Sequence, residues 1–309
     1  MLKKLILLSA VICMFITLSA CSNKQTSSVN SANNQKSQTN KLKVVVSFNA
    51  VKEFAEAIGK DKIEVETIIP SGTEAHDFEP KTKDLKALSD ANVFIYNGFG
   101  MEPWTDETLK AVNNKDLIVV NASKGFTPIT AGDSEASKSD REYDPHLWMS
   151  LKGAENEAKN IKNAFIKADP SNKDYFEKNY SDFHNKLEQL YNEYSSKFST
   201  LQNKNFVTGH AAFAYLCKDF GLKQNSIEGV FAEGEPSAKK LKELVDYCKE
   251  KHIKTIFVED MVSPKVSETL ANQVGAKAQK IYTIENSEGG KNYIETMKNN
   301  LDMIYNSLK

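Results

Sequence analysis

Asn92-Val93-Phe94-Ile95-Tyr96, a stretch from Pro103 to Asn113, and Leu117-Ile118-Val119-Val120-Asn121 decide the fold. The first and third are short apolar runs rich in β-branched residues, which read as buried strands. The middle stretch has Pro near its first turn, where a missing N–H costs nothing, and reads as a helix. Strand, helix and strand at this spacing form a βα unit of a parallel sheet.

The pattern continues on both sides. Upstream, Lys43-Val44-Val45-Val46-Ser47-Phe48 is a strand, Val51 to Ile58 a helix, Ile63 to Ile69 a strand and Thr82 to Asp90 a helix. Downstream, Asp169-Pro170-Ser171 interrupts it. A long helix follows, from about Asn172 to Phe198, with Phe176, Tyr180, Phe183, Leu187, Leu190 and Tyr194 on one seam. At 1.5 Å per residue it is ~40 Å long, enough to run along both halves of the chain. Then βα units resume. Strands are predicted at Asn205 to Thr208, Lys254 to Val258 and Lys280 to Ile284. Helices are predicted at Ala212 to Asp219, Ser237 to Lys251 and Pro264 to Val274, and Tyr293 to Leu308 closes the chain. The fold class is α/β. Two βα lobes, residues 42–171 and 200–309, are joined by one rigid helix over 172–199. Ligands of open α/β sheets bind beyond the carboxyl ends of strands, which points to the cleft between the lobes.

The amino terminus carries no fold. Met1-Leu2-Lys3-Lys4, an apolar run to Leu18, and Leu18-Ser19-Ala20-Cys21 read as a secretory signal over residues 1–20. The run is short for a membrane span, which needs about 20 apolar residues. Leu-Ser-Ala-Cys resembles the bacterial lipoprotein box, which implies that Cys21 is lipidated. Residues 21–41 are dominated by Ser, Asn, Gln, Thr and Lys, a flexible tether. The expected location is the outer face of the cytoplasmic membrane, held by lipid alone.

The 309 residues hold 40 basic and 41 acidic side chains, and the only arginine is Arg141. Planar phosphate and base recognition relies on Arg, so nucleic acid is excluded as a partner. Apart from Cys21, two cysteines remain after processing, Cys217 and Cys248, without metal-binding spacing. They are either a disulfide or two buried thiols. No HExxH, GxSxG or GxxxxGK[ST] motif occurs, and Gly98-Phe99-Gly100 reads as a turn.

Of five histidines, His184 lies off the seam of the long helix, and His252 sits among lysines at a helix-to-strand turn. Both read as surface residues. His76, His146 and His210 each fall in a loop or turn between elements, so together they make a metal site in the cleft plausible. Their contexts are Ala75-His76-Asp77-Phe78-Glu79-Pro80, Asp144-Pro145-His146-Leu147-Trp148 and Gly209-His210-Ala211-Ala212-Phe213-Ala214-Tyr215.

With these motifs, in this order and around a long helix, residues 42–309 resemble the lipid-anchored solute-binding proteins of bacterial ABC transporters for zinc and manganese. The resemblance implies that His76, His146 and His210 bind metal from both lobes. A fourth ligand is implied in a carboxylate near the carboxyl terminus. Glu285 is the expected one, with Glu288, Glu259 and Asp260 as alternatives. The stretch Ala131 to Glu142 is acidic and lacks the histidines that many zinc members carry there. Three imidazoles and one carboxylate suit Zn²⁺ better than Mn²⁺, which prefers oxygen-rich shells, though a manganese member stays open. Four protein ligands leave no position for a reactive water, so the expected role is carriage, not catalysis. The implied partner is a membrane permease of an ABC importer, met by a monomer. A surface adhesin and a secreted metallohydrolase are the other classes, the latter without a general-base motif.

Overall fold

A computed structural model describes residues 41–132, 142–232, 235–259, 263–287 and 289–309. The signal, Cys21, the tether up to residue 40, most of the acidic stretch, Asp260 and Glu288 lie outside the described residues.

The first lobe is a four-stranded parallel sheet in the order β2-β1-β3-β4, built from β1 Leu42–Val46, β2 Ile63–Thr67, β3 Val93–Tyr96 and β4 Ile118–Asn121. Helices α1 Asn49–Gly59, α2 Thr82–Asp90 and α3 Thr105–Ala111 make the crossovers. The second lobe repeats the plan in the order β6-β5-β7-β8, with β5 Asn205–Thr208, β6 Lys223–Ser226, β7 Thr255–Val258 and β8 Lys277–Lys280. Its helices are α6 Ala214–Phe220, α7 Ala238–Glu250 and α8 Pro264–Val274. Gly221 and Gly275 end α6 and α8 in the left-handed conformation that a side chain disfavours.

Between the lobes run α4 Leu151–Ala168 and α5 Lys173–Ser199. The expected seam of α5 is its packed side: Phe176, Phe183, Leu187, Leu190 and Tyr194 are buried and Tyr180 is half-buried. Helix α4 escapes the sequence reading. Half of its buried positions are small (Gly153, Ala154, Ala158 and Ala164), so the apolar periodicity is faint. Its start is nonetheless marked, because the Ser150 hydroxyl accepts the Gly153 N–H at 2.9 Å. Strand β6 also escapes, since Lys-Gln-Asn-Ser at a sheet edge has no apolar alternation.

One expectation is corrected. The strand foreseen over Lys280 to Ile284 ends at Lys280. Ile281 still donates to the Val258 carbonyl, but the next peptide groups bond to side chains. Asn300 takes both the N–H and the carbonyl of Tyr282, and the Trp148 indole N–H donates to the Thr283 carbonyl at 2.7 Å. Asn300 belongs to the closing helix α9 Tyr293–Ser307, which packs on α1 and α5.

The main core runs through both lobes, from Val44 and Phe94 past Phe165 and Phe183 to Phe206, Phe213 and Met297. A smaller cluster of Val207, Leu244, Ile256 and Leu270 lies under α7 and α8. Cys217 and Cys248 are buried free thiols.

Candidate metal centre

Each histidine of interest lies in a connection between elements. His76 lies in the loop after β2, where its N–H donates to the Glu74 carboxylate at 3.2 Å. His146 precedes a single 3₁₀ turn at Leu147–Met149 that leads into α4. His210 comes two residues after β5, and Glu285 five residues after β8. One ligand atom from each of His76, His146, His210 and Glu285 lies within 4.8 Å of all the others. The four residues are buried, at 2%, 0%, 3% and 6% exposure.

One pair carries a geometric test. Nε2 of His146 and Nε2 of His210 are 3.4 Å apart. Two nitrogens of a tetrahedral zinc site with bonds of ~2.05 Å would sit ~3.3 Å apart. The His76 ring stands edge-on to His146, with centroids 5.1 Å apart, and Phe231 stands edge-on to His76 at 5.5 Å. An apolar wall of this kind limits water at the site.

Carboxylates behind the rings set their orientation. Asp144 Oδ1 accepts both the N–H of His146 at 2.9 Å and its Nδ1–H at 2.8 Å, which turns Nε2 toward the centre. Glu259, one of the alternative carboxylate ligands, instead lies behind His210, with Oε1 3.5 Å from its Nδ1. Asp144 lies within the Asp-Pro-His motif, two residues before the ring it orients, but the motif alone does not show which way its carboxylate turns.

The charges are uneven. Burial lowers the His146 pKa despite the opposing Asp144. Burial also disfavours a charged His210, but Glu259, Glu285 and Glu74 outweigh it and push that ring up to about 9. Burial raises Glu285 to about 7, against the pull of His210. A proton on His210 would therefore compete with a cation for the space between its Nε2 and that of His146, 3.4 Å away. Such a set can hold a cation of borderline softness once that proton leaves.

The other two histidines lie elsewhere. His184 Nδ1 is 3.0 Å from Glu155 on the surface of α5, and His252 is an exposed residue with φ of 53°.

Residues 44–307 match the family described as zinc-uptake complex component A, periplasmic. The chain is 38% identical over 320 aligned positions to the high-affinity zinc uptake system protein ZnuA of Bacillus subtilis, covering 100% of this chain and 99% of that protein. It is also similar to the laminin-binding protein Lmb of Streptococcus agalactiae, described as bifunctional with adhesin and metal-transporting activity. That match has a TM-score of 0.79 and 37% identity over 87% of this chain and 100% of the other. A Zn(II)-bound variant of AdcAII from Streptococcus pneumoniae gives a TM-score of 0.79 and 32% identity, over 87% and 99% of the two chains. With two parallel-sheet lobes, a long helix between them and no enzyme motif, this chain belongs to the zinc-uptake component A family of solute-binding proteins.

Proposed function

We propose that this protein captures Zn²⁺ outside the cytoplasm through His76, His146, His210 and Glu285 and delivers it to the permease of an ABC importer. The observation that carries the reading is the convergence of three imidazoles and one carboxylate, all buried, within 4.8 Å. Three nitrogens and one oxygen favour tetrahedral Zn²⁺ over Mn²⁺, whose shells are larger and richer in oxygen. Four protein donors close the shell, so the bound ion is cargo and not a Lewis acid. Leu18-Ser19-Ala20-Cys21 supports lipid attachment at Cys21, which would keep a monomer close to the permease.

The test is competitive titration of purified protein with Zn²⁺ and Mn²⁺, together with elemental analysis. One zinc per chain, bound more tightly than manganese, is the expected result. Preferential manganese binding would overturn the choice of metal. Unchanged zinc binding after His76→Ala, His146→Ala and His210→Ala would overturn the site. The likeness to Lmb, with its described adhesin activity, supports a second reading as a surface adhesin. A deletion strain whose growth recovers with added zinc, while adherence is unaltered, would separate transport from adhesion.

A further inference from the structure

The segment bearing Glu285 follows β8 of the second lobe and is tied at Tyr282 to Asn300 of α9, yet its carbonyls at Thr283, Ile284 and Asn286 are held by the first lobe. Asn49, the first residue of α1, donates from Nδ2 to the carbonyls of Ile284 at 3.3 Å and Asn286 at 3.1 Å. These are the residues on either side of Glu285. Trp148 holds the Thr283 carbonyl, and the Gly72 N–H donates to the Asn286 side chain. Asn49, Glu285 and Asn286 are each more than nine-tenths buried.

Ile284 has a φ of 62°. A β-branched residue rarely adopts that region, at a cost of about 1–3 kcal/mol, and persists there only when its surroundings hold it. His210 is tied quite differently. Its carbonyl accepts from Thr208 and Gln224 and its N–H donates to Glu259, all in the second sheet or at its strand ends.

On the reading of the site given above, we infer that Asn49 is a positioning residue for Glu285. Its amide clamps the two carbonyls that flank Glu285, holds Ile284 in its strained conformation and fastens the carboxylate to the first lobe. Three of the four donors, His76, His146 and Glu285, then ride on the first lobe, and His210 alone rides on the second. Without the Asn49 amide, Ile284 can relax toward an extended conformation, and the following carboxylate turns away from the centre.

The experiment is a double-mutant cycle read by Zn²⁺ affinity against a chelating dye, on the full mature chain. Asn49→Ala should weaken zinc binding by ~10-fold, the scale of an outer-shell loss, and by less than ~2-fold once Glu285→Ala is present. Wild-type affinity in Asn49→Ala would overturn the proposal. So would an undiminished loss on the Glu285→Ala background, which would give Asn49 a purely structural role. Wild-type affinity in Glu285→Ala itself would remove the ligand assignment, and the role of Asn49 with it, while His210→Ala in the same series reports on the rest of the site. If Asn49→Ala does not fold, as judged by thermal unfolding without metal, Asn49→Asp keeps the side-chain size, lacks the donor and runs through the same cycle.

Discussion

The Glu259 carboxylate accepts the N–H of Gly209 on one oxygen, at 2.9 Å, and the N–H of His210 on the other, at 3.2 Å, and faces the His210 ring at 3.5 Å. A single side chain at the end of β7 therefore fixes both the peptide and the ring of a candidate ligand. Partners of this kind select the tautomer and aim the free nitrogen. Glu259→Gln presents one amide NH₂ where an acceptor is needed. It should lower zinc affinity by ~10-fold or more. It should also shift the ¹⁵N resonances of His210 toward a mixed tautomer in the metal-free protein. Unchanged resonances and affinity would remove Glu259 from the site's support.

Competition between protons and zinc for the same donors sets a pH dependence. His210 titrates at about 9 and Glu285 at about 7 in the metal-free protein. Zinc requires both deprotonated, so affinity should fall as pH drops, by ~10-fold per unit below 9 and more steeply below 7. Calorimetry in buffers of different ionisation heat should show about one proton released near pH 8 and about two near pH 6. Glu285→Gln should bind more weakly and lose the steeper acid limb. Proton-independent binding would contradict the charges assigned to this pair.

Glu157 gives a stability test away from the centre. It is fully buried on α4, with no hydrogen-bond partner for either oxygen among the described residues. Burial first, and Glu102 second, raise its pKa well above the usual carboxylate value. The folded state therefore keeps a proton that the unfolded state has lost, and this contribution falls as pH rises from about 4.5. Glu157→Gln is neutral at every pH. It should match wild type near pH 5 and unfold at higher temperature near pH 8, each kcal/mol moving Tm by ~2–4 °C. A variant less stable than wild type at pH 8 would show that this carboxyl is ionised and satisfied.

Substitutions at the two surface histidines serve as controls. His184→Ala and His252→Ala should leave zinc affinity within ~2-fold of wild type, because neither ring approaches the centre. Losses equal to those at His76 would mean that zinc binds elsewhere on the chain.

Cys21→Ala should release the protein from membranes or leave its signal uncleaved, as membrane fractionation and mass spectrometry of the native host would show. An unmodified Cys21 in the mature chain would refute lipid attachment.

Much of the architecture is legible in the sequence because parallel strands buried on both faces print continuous apolar runs, as in Val44 to Val46 and Val93 to Ile95. Helix α4 hides because small residues let it pack closely while giving little hydrophobic signal. The segment from Ile281 to Ile284 misleads for the opposite reason. Ile-Tyr-Thr-Ile has strong β propensity, but side chains of Asn300, Trp148 and Asn49 occupy its peptide groups, and tertiary contacts override propensity. His76, His146 and His210 stand out as loop histidines in distinctive motifs. Glu259 does not reveal from its position whether it faces an ion or the back of a ring. Asn49 carries no local signal at all, since its partners lie 235 and 237 residues away.

The cores of the two lobes are unequal. One face of β5 sends Phe206 into the large apolar body, and the other sends Val207 into the small cluster beneath α7 and α8. Fewer buried contacts mean a lower free energy of local opening, so α7 and α8 should exchange their amide hydrogens sooner than α4 and α5. His210 hangs from the end of β5, on the seam between these regions. An ion gripped there acts as a keystone: it binds only when the weaker masonry is in place, and its binding free energy is added to the cost of dislodging that masonry. The loaded and empty forms would then differ less in shape than in how often their outer helices come undone.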